Sequence, residues 1–101
     1  MMNLSGTPTN NRAEFYGNLK KKLEEQHDFP TLYMFKFIVP NELEKEAQLM
    51  GIFQKEESEF SSRESKTGRY ISLTIKAVMV DAQSVISAYQ KAEKIEGIVS
   101  L

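Results

Sequence analysis

The chain offers few groups for bond-making chemistry. There is one histidine, His27, and no cysteine, which excludes thiol catalysis, disulfides and cysteine-ligated zinc. Without a second imidazole no histidine pair is available for metal binding or proton relay. Asp28 and Asp81 are the aspartates, and Asp81 stands where a helix cap is expected. Glu42, Glu44 and Glu46 fall on one short helical stretch, with Glu42 and Glu46 a turn apart, but no further ligand converges on them and a solvated helix face explains them better. Arg63, Lys66, Gly68 and Arg69 form the one anion candidate, since basic side chains and glycine-loop amides both favour a phosphate. Glu64 offsets part of that charge, no Walker spacing is present, and a solvated hairpin tip is the better explanation. No catalytic residue, metal site or cofactor is therefore expected, and the chain reads as a non-enzyme.

The elements that must position these residues follow from periodicity. Residues 1–11 are rich in Asn, Thr, Ser, Gly and Pro and read as a disordered tail. Residues 12–27 read as an amphipathic helix with Phe15 or Tyr16, Leu19 and Leu23 on its stripe. Residues 28–101 read as the domain proper. Residues 32–39 alternate as a strand, with Tyr33, Phe35, Phe37 and Val39 on one face and Leu32, Met34, Lys36 and Ile38 on the other. Pro40 ends the strand. Asn41 and Glu44 stand at capping-box spacing for a helix expected to run to about residue 54 and to bury Leu43, Ala47, Met50 and Phe53, with Leu49 and Ile52 widening the stripe.

A weak, charged strand is expected over 57–63, as suits a sheet edge. Residues 66–69 read as a hairpin loop. The strand 70–80 then places Ile71, Leu73, Ile75, Ala77 and Met79 on one face, and Tyr70, Ser72, Thr74, Lys76 and Val78 on the other. Asp81 opens a helix carrying Val85, Ile86, Tyr89, Ala92 and Ile95, and residues 98–101 form a short last strand after Gly97.

The order strand, helix, strand, strand, helix, strand predicts an α+β, ferredoxin-like βαββαβ two-layer sandwich: a four-stranded antiparallel sheet, two helices on one face, and an extra N-terminal helix. The first and third strands, richest in apolar residues, take the centre. The opposite face is then open. Leu32, Met34, Lys36, Ile38, Tyr70, Ser72 and Thr74 on it become the candidate site for a partner or ligand, unless the N-terminal helix folds over them.

Two segments resemble a known family. Phe29-Pro30-Thr31 before the first strand, and Ser65-Lys66-Thr67-Gly68-Arg69-Tyr70-Ile71-Ser72-Leu73-Thr74, are similar to signatures of the YbeD-like family of uncharacterised bacterial proteins. The resemblance spans about 19–101 and implies a ferredoxin-like fold similar to ACT domains, which sense amino acids, without an assigned activity. ACT domains commonly hold the amino acid beside a glycine in the first loop. Here that loop is Val39-Pro40-Asn41-Glu42 and has none.

The near balance of 13 basic and 14 acidic residues gives no global attraction to DNA or anionic lipid. No apolar run reaches membrane length, no signal peptide is visible, and a cytoplasmic location is expected. RNA is disfavoured, because Ser72 and Thr74 stand where an RNA-recognition motif needs stacking rings. The expected function is a regulatory or adaptor domain that binds a protein partner through the open face, with a homodimer as one form of it. The alternative is an ACT-like small-molecule sensor.

Overall fold

The computed structural model describes residues 12–101; the tail expected at 1–11 lies outside them. Its elements are α1 (Arg12–Gln26), β1 (Thr31–Pro40), α2 (Leu43–Met50), a 3-10 turn (Lys55–Glu57), β2 (Ser58–Glu64), β3 (Tyr70–Met79), α3 (Ala82–Ala92) and β4 (Val99–Ser100). The sheet order is β2-β3-β1-β4 and every pairing is antiparallel. This is the ferredoxin-like order with one added helix, and the two strands richest in large apolar residues do sit at the centre.

The alternation read from the sequence decides which face of the sheet is covered. Phe35, Phe37 and Val39 of β1, and Ile71, Leu73, Ile75 and Ala77 of β3, are buried together against Leu49, Phe53, Val85, Ile86 and Tyr89. Phe35 is the hub of an aromatic cluster. Its ring centroid lies 4.7 Å from Tyr33, 4.9 Å from Phe53 and 5.2 Å from Tyr89, the last at a steep edge-to-face angle of 62°.

α3 begins as expected. The Asp81 carboxylate accepts the Ser84 N–H at 2.7 Å, and the Ser84 hydroxyl accepts the Asp81 N–H at 3.4 Å, closing a capping box. It ends at Ala92, and Ile95 is buried just beyond it.

α2 departs from the expectation. Its N-cap is Glu42, with no side-chain cap, and it stops at Met50 rather than near residue 54. Asn41 does not cap it because Asn41 is used elsewhere. Its N–H donates to the Arg69 carbonyl at 2.8 Å, and its amide donates to the Glu64 carboxylate at 2.7 Å and the Gly68 carbonyl at 2.8 Å. The early helix therefore starts away from the sheet. Leu43, expected in the core, is 84% exposed, and Ala47 is exposed as well. The chain leaves the helix at Gly51 through tight i to i+3 bonds that bring Phe53 into the core.

α1 settles where the extra helix goes. It packs on α3, on the helical side of the sheet. Tyr16 and Leu23 are buried, Phe15 and Leu19 partly so, and Tyr16 Oη donates to the Glu93 carboxylate at 2.9 Å while Arg12 pairs with the same carboxylate. No described element covers the other face of the sheet.

Candidate functional site

The register of the strands builds the open face row by row. Leu32 stands opposite Val78; Met34 opposite Lys76, which is opposite Glu59; Lys36 opposite Thr74 and then Ser61; Ile38 opposite Ser72 and then Arg63, with Val99 on its other side. Pro40 and Tyr70 close the end. Large apolar side chains are left in water at both ends of this face: Leu32 is 62% exposed, Met34 52%, Tyr70 48% and Val78 46%. Between them runs a polar middle of Lys36, Thr74, Ser61, Ser72 and Lys76.

Two features make this surface more than a solvated sheet. Ile38, Tyr70 and Ser72, with Arg63, Glu64 and Ser65, line a depression of about 260 Å³ whose walls are almost wholly apolar. It has room for one inserted side chain. The charge is also lopsided: the strand positions whose register faces this side carry Lys36, Lys76 and Arg63 against Glu59, although the chain as a whole is slightly acidic. Glu59 lies opposite Lys76, whereas Thr74 and Ser61, across from Lys36, are uncharged.

The seven residues read as a candidate surface, Leu32, Met34, Lys36, Ile38, Tyr70, Ser72 and Thr74, are thus brought together on one face. The anion candidate is only partly assembled. Arg63 lies on β2, pointing with Ser72 to the open face, while Lys66, Gly68 and Arg69 sit in the hairpin, where Gly68 takes a φ of +75°. Several amides at the hairpin are already engaged. Gly68 N–H donates to the Ser65 carbonyl at 3.0 Å, Ser65 N–H to the Tyr70 carbonyl at 2.9 Å, and Tyr70 N–H to the Ser65 hydroxyl at 3.2 Å. Gly68 N–H, the glycine amide of the anion reading, is therefore not free for a phosphate.

A groove that periodicity did not signal lies at the far end of β3. It encloses about 310 Å³ between the chain after α2, the 3-10 turn and start of β2, the end of β3, and α3 from Ser84 to Lys91. Ile52, Phe53, Met79 and Ala88 give it apolar walls; Ser87, Glu57 and Lys91 give it polar ones. These residues come from four separate segments, and only the tertiary fold puts them side by side.

Two phenols are strongly perturbed. Burial first, then the hydrogen bond to Glu93, push the Tyr16 hydroxyl far above its usual 10.0. Burial first, then a 3.0 Å hydrogen bond with Tyr33, do the same to Tyr89. Both sit inside the helical layer, away from the open face and the groove, and hold the core. Among the described residues no group of three or more His, Cys, Asp or Glu could hold a metal ion, and no helix is long and apolar enough to cross a membrane.

Searches of curated proteins and of solved structures returned no match. A family match bears out the resemblance seen in the two sequence segments. Residues 24–101, which take in the whole sheet, α2, α3 and the last residues of α1, match the family described as "Protein of unknown function (DUF493)", and the chain belongs to that family.

Proposed function

We propose that this is a non-enzymatic regulatory or adaptor domain whose open sheet face binds a protein partner. The observation that carries the reading is the set of four large exposed side chains, Leu32, Met34, Tyr70 and Val78, on a face that no described element covers. A helix added to the sandwich could cover such a patch. Here the spare helix, α1, packs on α3 instead. Aromatic and methionine side chains around a polar, basic middle match the make-up of interface cores with polar surroundings. The apolar depression beside Tyr70 supplies a socket for one anchoring residue.

The test is substitution on the face with the fold monitored. Met34→Asp and Tyr70→Ala change exposed side chains and should leave the melting temperature nearly unchanged, while abolishing capture of the partner retained by the unaltered domain. Retention of the same partner by both folded variants would mean that binding occurs elsewhere.

A second reading, a small-molecule sensor, is favoured by one observation, the groove of about 310 Å³ at the end of β3. That volume is at the lower limit for ligand sites. Its Glu57 and Lys91 offer opposite charges to a small zwitterion. Saturable thermal stabilisation by one metabolite, lost in Lys91→Ala, would move this reading ahead.

A further inference from the structure

The sheet has two edges, and they are built differently. The outer edge of β2 is lined by Glu59, Ser61, Ser62, Arg63 and Glu64, all exposed, so an approaching strand meets charge. The opposite edge belongs to β4 only where β4 exists. Val99 and Ser100 pair with Ile38 and Phe37, and Leu101 N–H donates to the Lys36 carbonyl at 2.8 Å. From Thr31 to Phe35, β1 has no strand neighbour on that side among the described residues.

The direction of the backbone groups follows from that last bond. Lys36 points its main chain toward β4, and in an antiparallel ladder alternate residues point the same way. Asn41 N–H donating to Arg69 confirms the phase, since odd-numbered positions of β1 turn toward β3. Leu32 and Met34 therefore present N–H and C=O to the open edge. Their side chains are the exposed apolar pair at this end of the face, and Lys36 follows in the next like-facing position. Unpaired backbone beside exposed apolar side chains is the arrangement that accepts an added strand.

We propose that the edge of β1 at residues 31–35 is a strand-acceptor site for an extended segment of a partner protein, running antiparallel to β1 in line with β4. This rests on reading the open face as an interaction surface. The segment carries an apolar residue opposite Leu32 and an acidic residue opposite Met34, from where the carboxylate reaches Lys36 along the diagonal of the face. It forms hydrogen-bonded pairs with Leu32 and Met34, and the rest of the partner lies over the polar middle of the sheet.

The experiment follows amide hydrogen exchange and chemical shifts in the ¹⁵N-labelled protein. The probe is a capped synthetic peptide of threonine, glutamate, threonine, valine and threonine, supplied free and also appended after Leu101, where β4 already points into the gap. The expected result is that the Leu32 and Met34 amides, open in the free protein, exchange at least about tenfold more slowly. Replacing the glutamate by lysine should reverse most of that protection. Met34→Pro, which removes an N–H that β3 does not use, should abolish protection at Leu32, whereas Met34→Ala should keep it.

No protection by either form of the peptide would overturn the inference. Protection that already rises with protein concentration alone would also overturn it, and would assign the edge to a second copy. Shifts confined to Ser72, Thr74 and Lys76 would leave the open face as an interaction surface but remove the strand-acceptor role.

Discussion

Tyr89 shows how one side chain ties the core together and gives the fold a pH limit. It is buried, edge-on to Phe35 and Phe37, and its hydroxyl meets that of Tyr33 at 3.0 Å. Burial and that bond raise its ionisation above the 10.0 of a free tyrosine. Below pH 10 both folded and unfolded chains keep the proton and the stabilisation is complete. Above it, only the unfolded chain ionises, and stability falls by about 1.4 kcal/mol per pH unit until the folded group titrates. Urea unfolding of Tyr89→Phe should show a loss of about 1 kcal/mol at neutral pH, from the stranded Tyr33 hydroxyl, and a shallower decline above pH 10. An equally steep decline would place the alkaline limit on other groups. Gly97 is a second position with a defined constraint. Its φ is +84°, and an added Cβ would sit 2.9 Å from Cγ of Pro40. Gly97→Ala should cost at least about 1 kcal/mol by the same measurement and loosen the approach to β4.

Among the elements, α1 is the one whose position could not be read from periodicity. Its stripe of Tyr16, Leu19 and Leu23 says only that it docks. What places it on α3 is a match of partners distant in sequence: Glu93 receives both Tyr16 and Arg12. Leu23→Ala should destabilise the protein by about 2–4 kcal/mol, read by denaturant unfolding, because Leu23 is only 4% exposed. A change under about 0.5 kcal/mol would show the helix to be a loosely held appendage.

The strands were far more legible than this, since period-two alternation in β1 and β3 names their buried faces directly. The Asp81 cap was legible for the same reason: both partners of its box lie within four residues. α2 was misread because Asn41 has cap chemistry and cap spacing, yet the sheet and the hairpin hold it through Arg69, Glu64 and Gly68. The groove was not legible at all. Ile52, Glu57, Met79 and Lys91 share no local pattern and meet only when α3 folds back over the sheet.

For the whole molecule, the division of charge and apolar surface supports one account. The chain is near neutral, but the open face gathers Lys36, Lys76 and Arg63 against Glu59 between two apolar ends. Association with an acidic partner should therefore weaken with salt through the on-rate, while the apolar anchors govern dissociation. Lys36→Glu should reduce the association rate and its salt dependence without altering the unfolding midpoint. This can be followed by surface-bound kinetics with the captured partner.

The most direct test of the open face as the binding surface is quantitative affinity purification with matched variants. Met34→Asp and Tyr70→Ala alter the face, and Leu43→Asp alters an apolar residue on α2 that is more exposed than either, at 84%. The account predicts one partner that the unaltered domain and Leu43→Asp both retain and the two face variants both lose, with all four proteins folded. A partner lost on Leu43→Asp and retained by the face variants would contradict it.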